Sequence, residues 1–168
     1  LKSQLIIDKV ATLDDIIEYL RGDRTKEEKE GGVFRNRRSL LGDVIHSSAK
    51  VVRGPSEAYL DNGKTTSQAP GYEQFKLDNA LRKNIVLVGA NDGMLHAFDT
   101  DTGDELWAFI PSQSLANMHL LADPDYDHQN FVDSSPIIRD VFIGGFWKTV
   151  AIGGLRLGGQ GYYALDIT

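Results

Sequence analysis

The chain has 168 residues, enough for one domain or a large piece of one, and its 41% apolar and 25% charged residues are the balance of a soluble globular protein. A formal net charge of −6 sets its surface against a phosphate backbone, which argues against nucleic acid as a partner, and the absence of cysteine excludes a disulfide framework or a thiolate metal site. No apolar run approaches the roughly 20 residues needed to cross a bilayer.

The first residue is Leu1 and no leader with an apolar core precedes it, so a trimmed fragment or processed product is expected. Residues 1–10 are too short to classify. From Thr12, the stretch TLDDIIEYL predicts a short helix over 12–21. Thr12 and Asp15 have capping-box spacing, and Leu13, Ile16, Ile17 and Leu20 fall on one face. Gly22 can terminate the helix. The charged stretch that follows, DRTKEEKEGG, is expected to be a solvated loop. Residues 53–83, with an Asp61-Asn62-Gly63-Lys64 turn, show no clear periodicity and are expected to be an inserted loop or mobile excursion.

The remainder predicts strands at 85–88, 94–98, 105–110, 136–143, 147–152 and 162–167, separated by glycine-rich turns, with a short helix over 112–121. Asn91-Asp92-Gly93 is the first hairpin signal, with Gly93 able to take a positive φ. The series also repeats. Residues 86–90 (VLVGA) match 150–154 (VAIGG), Ala97-Phe98-Asp99 matches Ala164-Leu165-Asp166, and residues 44–49 (VIHSSA) match 131–136 (FVDSSP). By this alignment the second hairpin is three residues longer. Repeated units of short antiparallel strands are the sequence form of propeller blades, which stack because one sheet cannot bury both its faces. The fold expected is mainly β: an incomplete β-propeller of about one and a half antiparallel blades, with residues 1–40 as a helix and charged loop leading into a partial propeller over 41–168.

Within the first repeat, Ala97, Asp99, Thr102, Gly103 and Trp107 form the pattern A-x-D-x-x-T-G-x-x-x-W. Ala97 is small where sheets approach, Asp99 can accept turn N–H bonds, Gly103 suits a left-handed turn position, and Trp107 has a large face to pack on a neighbour. The pattern resembles the tryptophan docking motif of quinoprotein-type propellers, in which it staples blades and does not hold the quinone. A narrower series runs through the chain: YLRGD at 19–23, FRNR at 34–37, LGDVIHSS at 41–48 and VGANDGMLHAF at 88–98. It continues with Phe131-Val132-Asp133, Ser135-Pro136 and Trp147-Lys148-Thr149-Val150. This series resembles the C-terminal domain of the PilC/PilY-type tip adhesins of type IV pili. The resemblance implies a modified β-propeller in an exported, cell-surface protein at the pilus tip. Such a module acts with minor pilins, supports pilus biogenesis and twitching motility, attaches to a surface or host receptor, and is not an enzyme. The alternative from another class is a fragment of a quinoprotein-like, PQQ-dependent dehydrogenase, for which no vicinal Cys pair or Glu/Asn/Asp metal set can be identified.

No cofactor is expected in this stretch. The family's calcium loop lies further along the propeller than residue 168. Asp123, Asp125 and Asp127 have D-x-D-x-D spacing but lack the glycine and closing glutamate of an EF-hand loop, so a solvated loop is the default. His46, His96, His119 and His128 are scattered, and a packed or hydrogen-bonded role is expected for His96 on its strand. Arg21-Gly22-Asp23 invites an integrin reading but sits at a predicted helix end. Gly153 to Gly161 looks faintly phosphate-binding, but no helix follows it and a hairpin loop is expected. Phe142, Phe146, Trp147, Tyr162 and Tyr163 are expected to fill the space between sheets.

Overall fold

The structure, a computed structural model, describes residues 11–59 and 71–168. Residues 1–10 and the 61–64 turn lie outside the described residues. Helix α1 (Leu13–Leu20) starts with the expected capping box: the Asp15 N–H donates to Thr12 Oγ1 at 3.2 Å, and the Thr12 N–H donates to Asp15 Oδ2 at 2.7 Å. It ends in a Schellman turn. The Asp23 N–H reaches Glu18 O, the Gly22 N–H reaches Tyr19 O, and Gly22 has φ +109°.

Among the described residues, seven strands form two antiparallel sheets. The first runs β1 (Lys50–Val52), β2 (Ile85–Gly89), β3 (Leu95–Asp99), β4 (Glu105–Phe109), each strand paired with the next. The second runs β5 (Ile137–Ile143), β6 (Phe146–Gly154), β7 (Tyr162–Asp166). Period-two burial sends Leu87, Leu95 and Ala97 to one side of the first sheet, its front, and His96 and Phe98 to the other, its back. The front of the first sheet packs on the back of the second. Val52, Leu87, Leu95, Ala97, Ala151 and Tyr163 form that core, with Ile85, Trp107, Phe109, Ile138 and Leu165 at its margin. Leu87 and Leu95 are fully buried, which stabilises by roughly 2 kcal/mol each.

The hairpins follow from their turn residues. Gly144 and Gly145, at φ +64° and +88°, close β5–β6 in the two-residue loop that requires positive φ at both positions. Gly93 has φ +94°, and a Cβ there would lie 2.2 Å from Met118 Sδ. Of the 153–161 stretch expected as a hairpin loop, Gly153 and Gly154 are the paired end of β6, and residues 155–161 form the loop, with a 3₁₀ turn at Arg156–Gly158.

Four expectations are corrected. Residues 53–83 are not merely a loop: α2 (Tyr72–Asp78) lies there and buries Tyr72 and Phe75. The segment expected as a helix over 112–121 is 3₁₀ over Leu115–Ala122, whose i→i+3 bonds suit a short connector. The charged stretch is not wholly solvated, because Glu27 is fully buried. Finally, the middle strands of the two repeats align one residue away from the sequence match. Leu87 pairs with Ala97 and Ile152 pairs with Ala164, so Leu87 corresponds to Ile152 and Gly89 to Gly154. The second hairpin is therefore two residues longer, and the shift matters because one residue exchanges the faces of a strand.

Candidate functional site, the junction between sheets

The docking pattern lies on the first sheet's front. Ala97 is fully buried opposite Trp107, whose ring packs against the core shared by both sheets. Asp99 organises the turn. Its carboxylate accepts Lys83 Nζ at 2.6 Å and the Asp101 N–H at 2.9 Å, and these bonds hold it below the usual carboxylate range. The Gly103 N–H donates to Asp99 O, and Thr102 Oγ1 accepts the Asp104 N–H at 3.2 Å. Gly103 has φ +79°.

The two Ser-Ser segments meet each other. His46 Nδ1 lies 2.7 Å from Asp133 Oδ2, and the His46 N–H donates to Asp133 Oδ1 at 3.3 Å. The Ser48 N–H donates to Ser135 Oγ at 2.7 Å. Ser47 instead serves its own sheet, its Oγ accepting the Gly89 N–H at 3.0 Å. Each pair across the junction joins matching positions of the two repeats, 87 residues apart. A second link is polar and buried. Tyr72 OH donates to Asp140 Oδ2 at 2.6 Å, Thr149 Oγ1 to Asp140 Oδ1 at 2.6 Å, and Arg82 to Thr149 Oγ1 at 2.7 Å. Burial, reinforced by Asp140, raises the Tyr72 phenol well above its ordinary value.

The 19–23 and 34–37 strings close a clamp that the sequence did not announce. The Arg37 guanidinium donates to Tyr19 O, Asp23 O and Glu27 Oε1, and it stacks 3.6 Å from the Tyr19 ring centroid. Lys29 Nζ adds a contact to Glu27 at 3.0 Å. Burial would raise the Glu27 carboxyl, but Lys29 and Arg37 outweigh it and hold the group ionised. Tyr19 OH donates to Arg35 O and Leu121 O, which ties α1 to the 3₁₀ helix. Asp23 accepts both the N–H and the hydroxyl of Thr25, so the Arg21-Gly22-Asp23 tripeptide is a helix stop with its carboxylate engaged.

Behind the first sheet, α1, the 39–43 loop and the 3₁₀ helix enclose an open cavity of about 1170 Å³. Its buried polar centre is His96, with Nδ1 2.6 Å from Glu105 and Nε2 3.0 Å from Asp92. Burial lowers the His96 pKa, but the two carboxylates outweigh it and the net shift is upward. Asp92 also accepts the Gly42 N–H at 2.7 Å, and Asp43 pairs with Asn91 and His128.

Several candidates fall elsewhere. The Asp125 N–H donates to Asp123 Oδ1 in an Asx turn, and among the described residues no three His, Asp or Glu side chains gather to hold a metal. Phe142, Phe146 and Tyr162 do not fill the space between sheets. They are 51%, 54% and 82% exposed, because the first two flank the β5–β6 turn and the third lies on the second sheet's front. Tyr163 does lie between the sheets, and Trp147 packs with Tyr59, Tyr72 and Phe142.

Two meandering antiparallel sheets, stacked front to back through repeated positions, define a segment of β-propeller. Comparison with known proteins gives the family. Residues 41–168 match the profile of the PilY1 beta-propeller domain. The chain is 45% identical over 157 residues to the type IV pilus biogenesis factor PilY1 of Pseudomonas aeruginosa strain PAK, covering 92% of this chain and 13% of that protein. It is 39% identical over 155 residues to a PilY1 homolog of Xylella fastidiosa strain Temecula1, covering 90% of this chain and 12% of the relative. The crystal structure of the Pseudomonas aeruginosa PilY1 C-terminal domain aligns with a TM-score of 0.47 and 46% identity, over 58% of this chain and 18% of that one. The chain belongs to the PilY1 β-propeller family. Among the described residues, no helix is long and apolar enough to cross a membrane.

Proposed function

We propose that this propeller is a non-enzymatic structural and adhesive module of a type IV pilus tip protein, exported to the cell surface, where it supports pilus biogenesis, twitching motility and attachment together with minor pilins. The observation that carries the proposal is the 45% identity, over 92% of the chain, to a protein named as a pilus biogenesis factor. The stacked sheets fit a scaffolding role, since Asp133 and Asp140 are engaged by His46, Tyr72 and Thr149 in holding elements together. In this reading Ala97, Asp99, Thr102, Gly103 and Trp107 staple neighbouring sheets and bind no cofactor.

Deleting the gene and scoring surface pili and twitching zones tests the proposal. Loss of both, restored by the wild-type gene, is the expected result; normal piliation and motility would refute it. A tightly bound quinone in the absorbance spectrum of the intact protein would instead establish the dehydrogenase alternative.

A further inference from the structure

Behind the first sheet, the two nitrogens of His96 face two different carboxylates. Nδ1 lies 2.6 Å from Glu105 Oε1 on β4, and Nε2 lies 3.0 Å from both Asp92 oxygens in the β2–β3 turn. Phe98 stacks on the ring, and the His96 side chain is only 7% exposed. Both nitrogens carry hydrogen only in the imidazolium; the neutral ring has one donor and one lone pair. Protonated His96 therefore serves both carboxylates, and neutral His96 serves one. The neutral ring keeps its shorter contact, to Glu105, when Nδ1 holds the remaining hydrogen. Nε2 then turns a lone pair on the Asp92 carboxylate, and attraction becomes repulsion where little water is present to screen it.

Asp92 also ties down Gly42 in the 39–43 loop, which forms one wall of the cavity. Its Oδ2 accepts the Gly42 N–H at 2.7 Å, and the fit is close: a Cβ on Gly42 would lie 2.4 Å from Asp92 N. The loop has no helix or strand to support it, and among the described residues its other hydrogen bonds are made by Asp43. Asp43 O accepts the Asn91 N–H at 3.0 Å, Asp43 Oδ2 accepts Asn91 Nδ2 at 2.8 Å, and His128 Nε2 lies 3.0 Å from the same oxygen. The His128–Asp43 pair is half exposed, so solvent screens it. Charges on the other cavity walls are committed elsewhere. Arg21 meets Glu18, Arg35 the Leu121 carbonyl and Arg37 the Glu27 carboxylate, while Arg38 and His119 make no hydrogen bond to the His96 ring.

We propose that residues 39–42 form a proton-controlled flap hinged at Asp43. Protonated His96 keeps Asp92 in place beneath the Gly42 N–H and the flap shut. Release of that proton to water turns Asp92 from the ring, frees Gly42 and opens the cavity wall. The flap carries Leu40 and Leu41, 50% and 38% exposed, so opening withdraws apolar side chains from the cavity lining. The direction follows from the charges. Burial opposes the His96 cation, but Asp92 and Glu105 outweigh it and keep the proton on to a pH above the ordinary 6.5. The flap is therefore shut below about pH 6.5 and opens as pH rises through the folded value.

Hydrogen exchange on the intact protein tests this between about pH 6 and about pH 9, resolved to single amides by mass spectrometry and divided by the intrinsic rate at each pH. The Gly42 amide is expected to lose protection at least about 10-fold as pH rises, since its bond to a fixed carboxylate is of the stronger, charge-assisted kind. The Asn91 amide, bonded to the hinge, is expected to keep its protection. Protection of Gly42 that does not change with pH overturns the proposal. So does loss at Gly42 and Asn91 together, which would be unfolding of the whole turn. Asp92→Asn supplies a second test. Its amide nitrogen can donate to the Nε2 lone pair of the neutral ring while its oxygen accepts the Gly42 N–H. At about pH 9 the Gly42 amide of this variant is expected to exchange at least about 10-fold more slowly than in the wild type; equal or faster exchange overturns the proposal. Should the variant not fold, the measurement on the unsubstituted protein still decides.

Discussion

Glu27 lies fully buried in a stretch of ten residues without an apolar side chain. Nothing local marks it, because its burial depends on Arg37, ten positions on, and on the ring of Tyr19 beneath that guanidinium. Removing one member of such a pair leaves the other charge without compensation. Glu27→Gln is expected to cost about 3 kcal/mol in urea denaturation. Tyr163 presents the opposite case. Its hydroxyl is buried without a hydrogen-bond partner among the described residues, and burial pushes its pKa up to about 12. Tyr163→Phe removes that desolvated group, so stability is expected to stay level or rise by about 1 kcal/mol in the same assay. His96 gives a pH dependence. Its folded pKa stands above the ordinary 6.5 through Asp92 and Glu105, against the opposing effect of burial. The stabilisation is therefore complete below about pH 6.5 and fades as pH rises through the folded value. Denaturation across pH 6 to 9 should show that decline in the wild type and a flatter profile in His96→Gln.

The hairpins were legible in the sequence because their signals are local. Asn91-Asp92-Gly93 and Gly144-Gly145 name their turns by backbone requirement alone, and the alternation around them assigns strands. Gly93→Ala combines a positive φ with a collision against Met118, so a loss of about 2 kcal/mol is expected in thermal or urea unfolding. What the local pattern did not convey is register. Ser-Ser and Ala-x-Asp bracket the middle strand correctly, but a hairpin longer by two residues or by three looks the same in sequence, and glycines at both 153 and 154 satisfy either alignment. Helix α2 was missed for a related reason: with seven residues it shows too few turns for a periodic signal, and its burial comes from Trp147 and Asp140 on the other sheet. The aromatic residues of the β5–β6 tip were misplaced because hydrophobicity alone does not distinguish an inner face from an outer one.

Across the whole molecule, the repeat was readable, whereas the bonds joining the two repeats were not. His46 and Asp133 occupy matching positions but differ in type, so an alignment records a mismatch where the fold makes a contact. A double-mutant cycle with His46→Ala and Asp133→Ala, measured by denaturation, is expected to give a coupling of about 1 kcal/mol across the junction. Additive single effects would mean that the His46–Asp133 pair does not help to hold the sheets together.

The His46–Asp133 and Ser48–Ser135 bonds run from head to tail, the leading segment of the first sheet reaching forward to that of the second. A chain built on such couplings behaves like rolling stock, in which the hook of one carriage fits the ring of the next. Duplicating or deleting a complete carriage leaves every coupling made, while cutting one in half strands a hook without a ring. Changes in the length of proteins built this way are therefore expected to come in multiples of one full sheet together with its leading segment.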